Sequence, residues 1–92
     1  MDPAQITNLR RRLALSQPQF ALLLGVHAIT VSKWERSVPG AVPTPYQNAL
    51  MAEFEKAAAS REAEQIRNSL GTLLVGAGIA AALLMLLKAA DR

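Results

Sequence analysis

The sequence lacks almost all of the side chains on which metal and redox chemistry depend. Its 92 residues include no cysteine and a single histidine. The absence of cysteine excludes a disulfide framework, a thiolate zinc site and a cysteine nucleophile. A lone histidine excludes the usual multi-histidine metal cluster. We therefore expect that the protein holds neither a metal nor another cofactor.

The residue groupings that enzymatic catalysis requires are missing as well. No pair of carboxylates lies in an apolar setting, no serine has a histidine and an acid in support, and no glycine-rich phosphate loop follows a strand. Glu35 is the only acid in residues 6–36, and a salt bridge at a helix end is its ordinary role. We therefore predict that the protein is not an enzyme.

Aromatic residues are scarce, at 4% of the chain, although hydrophobic residues make up 51% of it. A chain rich in alanine and leucine, with no alternating strand pattern, is typical of a helical protein. No stretch near the start combines a basic end, an apolar run and a cleavage site, which favours a cytoplasmic N-terminus. The composition predicts an all-α fold.

Positive charge is concentrated in the first half of the chain. Residues 1–45 carry five basic and two acidic groups, residues 46–68 three and four, and residues 69–92 two and one. The overall net charge is +3. A basic front half favours an anionic partner, and nucleic acid is the first candidate.

Capping signals divide residues 1–58 into about four helices. Asp2, Ser16 and Thr44 are each followed by the residue types of a helix start, namely proline at the first turn or glutamine three residues later. Gly25 ends the second helix, and the third can run over residues 28–36. Proline and glycine make residues 37–44 a loop.

Apolar residues at helical spacing within these four helices predict a shared core. The core positions expected in the first three helices are Ile6, Leu9, Leu13, Phe20, Leu23, Leu24, Val31 and Trp34, and those in the fourth are Tyr46, Leu50, Phe54, Ala57 and Ala58. The sequence therefore predicts one compact domain over residues 1–58.

Two further segments follow this domain: a polar helical neck over residues 59–67 and a long apolar C-terminal helix over residues 68–88. Residues 68–87 contain no charged group, and twenty helical residues span about 30 Å, the thickness of a bilayer core. One interpretation is an anchor in membrane lipid that holds the preceding domain at the cytoplasmic face of the inner membrane. The other is an oligomerisation helix buried inside a soluble multimer.

The segment from Ile6 to Arg36 carries an ordered set of helix-turn-helix features. They are Leu9-Arg10, Leu15-Ser16-Gln17, Phe20-Ala21, Leu23-Leu24-Gly25-Val26 and Thr30-Val31-Ser32-Lys33-Trp34-Glu35-Arg36. Two short helices that cross steeply need a small residue at the crossing, here Ala21, and a residue that tolerates positive φ in the turn, here Gly25. The pattern resembles the helix-turn-helix of phage repressor and Cro-type (XRE-like) regulators.

This resemblance implies binding of double-stranded DNA, with the third helix as the recognition helix in the major groove. It implies base-edge contacts at Ala28, Ile29, Ser32 and Lys33, and phosphate contacts at Gln17, His27 and either Arg10 or Arg36. Ala28 and Ile29 have no hydrogen-bonding side chain, so that they could read only thymine methyl groups or DNA shape.

Three functions follow as hypotheses. The first is a transcriptional regulator, such as a repressor, that acts as a homo-oligomer and is either held at the membrane or multimerised by its C-terminal helix. The second is a soluble, multimeric protein that coats DNA. The third is a membrane adaptor whose helix-turn-helix binds protein instead of DNA, an alternative that the poor base-reading chemistry of Ala28 and Ile29 keeps open.

Overall fold

The computed structural model of the chain describes residues 1–91, which form six α-helices and no strand. The helices are α1 (Pro3–Arg12), α2 (Gln17–Leu24), α3 (Ala28–Glu35), α4 (Pro45–Ala58), α5 (Ala63–Gly76) and α6 (Ile79–Ala90). The predicted all-α class is confirmed. The helix count differs from the expectation because the C-terminal third contains two helices where one was predicted.

The predicted helix starts are confirmed at α1, α2 and α4. The side chains of Asp2, Ser16 and Thr44 each accept a hydrogen bond from the backbone N–H three residues later. In each case a glutamine at that later position reaches back to the N–H of the capping residue. These reciprocal bonds satisfy backbone donors that the first turn of a helix leaves without a partner.

The turn between α2 and α3 is also built as expected. Gly25 ends α2 in the left-handed conformation, with φ of 69°, which a glycine adopts without steric cost. Ala21, Val31 and Trp34 are buried on the inner side of the two helices. The two eight-residue helices are thereby attached to a common core through their apolar faces.

The predicted inward face of α4 is wrong at its start. Tyr46 is 72% exposed, while Met51 and Phe54 are fully buried and Leu50 is only partly buried. Counting back from Met51 and Phe54 by helical repeats leads to position 47. Tyr46 is rotated from that position by about 100° around the helix axis, and its ring therefore lies outside the core.

The polar segment predicted as a helical neck is helical only in its second half. Residues 59–62 form a turn that ends α4, and α5 begins at Ala63. Ser60 Oγ donates to the carbonyl of Ala57 at 2.7 Å and accepts from the N–H of Glu62 at 3.2 Å, which stabilises the turn. The chain reverses here, so that Ile66 of α5 is buried in the core.

The prediction of one long apolar helix over residues 68–88 is wrong. The N–H groups of Ala77 and Gly78 both donate to the carbonyl of Leu73, at 2.8 and 3.1 Å, and terminate α5. Gly78 then has φ of 96° and ψ of 175°, a region that is open essentially to glycine alone. The chain turns back at this point, and α6 packs against α5, α4 and α2.

The uncharged segment is accommodated as two short helices because each buries one apolar face on the rest of the molecule. Leu70 and Leu74 of α5 and Ala82 and Leu86 of α6 belong to the same hydrophobic cluster as the buried residues of α1–α4. Within residues 1–91, no helix has both the length and the apolar character needed to cross a membrane. Of the two interpretations of residues 68–87, the lipid anchor is not supported.

The break at Gly78 is testable by a pair of glycine substitutions. We expect Gly78→Ala to lower the free energy of unfolding by about 1 to 3 kcal/mol, because alanine is strained at this positive φ. Gly76→Ala lies in α5, where an added Cβ meets nothing within 4 Å, and we expect it to be neutral or slightly stabilising. Urea unfolding measures both. Stabilisation by Gly78→Ala would contradict the break, because an uninterrupted helix favours alanine over glycine.

Candidate nucleic-acid interface

Six of the eight residues expected to contact DNA lie together on α3 and its two caps. Ile29, Ser32, Lys33 and Arg36 follow one another at helical spacing and form a stripe opposite the buried side of the helix. We define the outward face of α3 by its exposed members, which are His27, Ile29, Lys33 and Arg36. Ala28 and Ser32 are half-buried at the margins of this face.

The outward face of α3 carries positive charge that is not neutralised by carboxylates. Lys33 makes no side-chain hydrogen bond or ion pair within residues 1–91, and Arg36 Nε donates only to Ser32 Oγ, at 3.1 Å. Glu35 is the only acid between Asp2 and Glu53 in the sequence. Its carboxylate is turned inward, which leaves the face with a basic character.

The N-terminus of α3 is more accessible to an anion than that of α2. His27 is the N-cap of α3 but makes no capping bond with its side chain, so that the N–H groups of Ala28 and Ile29 are not taken by a cap. In the first turn of α2, Pro18 has no N–H and the N–H of Gln19 is donated to Ser16 Oγ. Helix N-termini bind anions through such N–H groups.

Arg10, one of the expected phosphate contacts, forms a two-pronged ion pair with Glu35. Arg10 Nε donates to Glu35 Oε2 at 2.7 Å and Arg10 Nη2 donates to Glu35 Oε1 at 2.9 Å. The two side chains are 15% and 7% exposed. Arg10 Nη1 also donates to the carbonyl of Leu15 at 3.0 Å, and Gln17 Nε2 donates to Glu35 Oε1 at 3.2 Å. This network joins α1, the α1–α2 turn, α2 and the end of α3.

The network keeps Glu35 ionised. Burial alone would raise the pKa of its carboxyl group, but the hydrogen bonds from Arg10 and Gln17 and the charge of Arg10 outweigh burial and lower the pKa below the ordinary value. The hydrogen bond to Glu35 raises the pKa of Arg10 against the opposing effect of burial. The salt bridge expected for Glu35 is therefore present, and it is an internal tie between helices.

Arg11 is a further cation near this face that is not among the eight expected DNA contacts. It is exposed and lines a shallow depression together with Asn8, Glu35 and Ser37, beside the end of α3. Helical periodicity could have found it, because Arg11 lies roughly opposite the buried face formed by Ile6 and Leu9 on α1. Arg12 on the other side is paired with Glu55 at 2.8 Å.

Comparisons with known proteins identify no relative of this chain. A scan against protein-family models, a search of curated proteins and a search of solved structures each found no match. Within residues 1–91, no group of three or more acidic or histidine side chains is placed to hold a metal ion. The residues and geometry of α1–α3 are therefore the basis for assigning a function.

The inter-helix network predicts a large effect for Glu35→Gln. The substitution leaves the largely buried guanidinium of Arg10 without its counter-charge, and we expect the free energy of unfolding at neutral pH to fall by about 2 kcal/mol or more. The matched variant is Arg12→Gln, which breaks a pair whose side chains are about one-third exposed, and it should cost less than about 1 kcal/mol. Urea unfolding measures both, and equal costs would contradict the role of the network.

Acid should weaken the same network. Because the pKa of Glu35 is lowered in the folded state, its contribution to stability is complete above the ordinary pKa of 4.5 and is lost as the pH falls through the folded-state pKa. We expect the free energy of unfolding of the natural chain to fall more between about pH 5 and about pH 3 than that of the Glu35→Gln variant. If the free energy of unfolding fell equally with pH in both proteins, ionisation of Glu35 would not contribute to stability over this range.

Proposed function

We propose that this protein binds double-stranded DNA by placing α3 in the major groove and that it acts as a transcriptional regulator. The observation that carries the proposal is the contrast between the two sides of α3. Its outward face presents Lys33 and Arg36 with no carboxylate partner, whereas the nearby carboxylate of Glu35 is turned inward and paired with Arg10. A helix whose exposed face is basic, and whose only acidic side chain is paired inside the protein, can bind a polyanion such as DNA.

The packing of α3 supports an approach to the groove by this helix. Val31 and Trp34 hold one side of α3 in the core, and the network around Glu35 holds its C-terminal end against α1 and α2. The opposite side lies free on the surface of the protein. A major groove about 12 Å wide admits one α-helix presented in this manner.

The side chains on the outward face divide into two kinds of DNA contact. Lys33 can donate to guanine acceptors, and Ile29, which is 56% exposed, can contact a thymine methyl group. Arg36, His27 and the open N-terminus of α3 are suited to phosphate oxygens, which position a protein without reading sequence. Ser32 Oγ accepts from Arg36 Nε, and its own O–H remains available to donate to a base.

Two or more copies are needed for tight binding in this arrangement. One helix of eight residues covers about half of a DNA site, and two-fold protein dimers bind two half-sites one helical turn apart. We therefore include self-association in the proposed function. In this proposal the protein is a soluble multimer, and the apolar surface of the uncharged residues 68–87 contributes to its self-association.

The proposal predicts a specific loss of DNA affinity when the charge of α3 is removed. Titration of a labelled duplex of mixed sequence should show binding that weakens steeply with rising salt. The Lys33→Gln/Arg36→Gln double variant should bind about tenfold more weakly and should lower the salt slope by about 1 to 2. Fluorescence anisotropy at several salt concentrations measures both quantities.

The matched control removes the same amount of charge elsewhere. Arg61 in the turn after α4 and Lys88 on α6 are exposed and distant in sequence from α3, and the Arg61→Gln/Lys88→Gln variant should keep most of the affinity. Equal losses of affinity in the two double variants would show that binding depends on overall charge and not on the outward face of α3. No affinity of the natural chain for any duplex would overturn the proposal and favour a protein-binding role, for which exposed Ile29 is the suitable contact.

A further inference from the structure

An open apolar groove runs between α2, α4 and α6, on a surface distinct from the outward face of α3. We call it the α2–α4–α6 groove. Its large apolar side chains are Leu22, Leu23 and Leu24 from α2, Tyr46 and Leu50 from α4, and Ile79, Leu83 and Leu87 from α6. None of the residues that line it is charged. None of the four exposed residues of the outward face of α3 lines it either.

Several of these apolar side chains remain in contact with water. Leu22 is 49% exposed and Tyr46 is 72% exposed, while Ile79 and Leu87 are each 40% exposed. Single exposed hydrophobic residues are ordinary on a protein surface, but a cluster of large ones around one concavity marks an interaction site. The fold leaves this cluster uncovered although α6 already covers much of α4.

The face of α6 that borders the groove is arranged as a helix-packing surface. Ile79, Leu83 and Leu87 follow at intervals of four residues and form one ridge. The inward face of the same helix is made by Ala82, Leu86 and other buried residues. Since α6 is apolar on both faces, one face remains available after α6 has packed on its own chain.

We propose that a second copy of this chain covers the α2–α4–α6 groove, as a two-fold homodimer. A two-fold interface brings the same patch from both subunits together, and a patch without charged residues can do so without opposing like charges. The groove also matches the apolar centre of subunit interfaces, from which charged residues are depleted. The inference rests on the proposed function to the extent that paired half-sites require a second copy.

The position of the groove is compatible with DNA binding by the same dimer. Gly25, in the turn that precedes α3, lies at its border, so that the interface would adjoin the start of α3. The outward face of α3 stays outside the interface. Dimerisation through the groove and DNA binding through α3 can therefore be disrupted separately by substitution.

The test is sedimentation equilibrium of the full-length chain without DNA, over a range of protein concentrations. We expect the natural chain to be in equilibrium between monomer and dimer. Tyr46→Glu and Leu22→Glu should each raise the dissociation constant about a hundredfold or more, because two like charges would face one another across the interface. Tyr46 occupies the second position of α4, where a negative side chain favours the helix dipole, so that Tyr46→Glu should fold normally. Circular dichroism verifies the fold of each variant.

Leu84→Glu is the matched control, since Leu84 is an exposed apolar residue of α6 that does not line the groove. It should leave the dissociation constant unchanged. A natural chain that stays monomeric at all concentrations, or a dimer that Leu84→Glu weakens and both groove variants leave intact, would overturn the inference. The Lys33→Gln/Arg36→Gln variant should still dimerise, which separates a failure of this interface from a failure of DNA binding.

Discussion

The ion pair between Arg10 and Glu35 is the interaction on which the orientation of α3 depends. Three helices meet at this point, because Gln17 at the start of α2 shares the carboxylate with the guanidinium from α1. A charged group with little access to water is costly unless its partners are well placed, and here both oxygens of Glu35 are bonded. Apolar contacts alone would hold α3 against the core, whereas the directional bonds also determine how its end is turned.

The same ion pair shapes the electrostatics of the surface. The carboxylate of Glu35 is the only negative side chain between residues 3 and 52, and its pairing with Arg10 withdraws one charge of each sign from the exterior. Arg11, Lys33 and Arg36 remain exposed near the proposed DNA surface. An internal contact that stabilises the fold thus also leaves a positive outer face, which links the packing of α1–α3 to the proposed function.

The hairpin formed by α5 and α6 accommodates the twenty consecutive uncharged residues 68–87 in a chain of only 92 residues. Folding them back at Gly78 lets α5 and α6 each bury one face and brings α1–α6 into a single hydrophobic cluster. The outer side of α6 stays apolar and borders the groove with α2 and α4. The proposed homodimer would cover the apolar surface that a single copy leaves exposed.

Local signals along the chain were sufficient for the first half of the fold. The caps at Asp2, Ser16 and Thr44, the left-handed turn at Gly25 and the burial of Trp34 could all be predicted, because each depends on neighbours within a few residues or on simple periodicity. The outward placement of Lys33 follows from the same periodicity. For these features, local sequence and tertiary structure agree.

Other features were decided only by tertiary packing. The direction of Arg10 among three successive arginines depends on Glu35, which is 25 residues away. The exposure of Tyr46 depends on which side of α4 meets α6. The end of α5 depends on α6 finding a surface on α4 and α2, since a run of leucine, alanine and glycine suits one long helix or two short ones equally well. The sequence by itself determined the helical class, the starts of α1–α4 and the basic face of α3. Tertiary structure decided the internal ion pair, the hairpin and the groove, because each needs contacts between residues far apart in the chain.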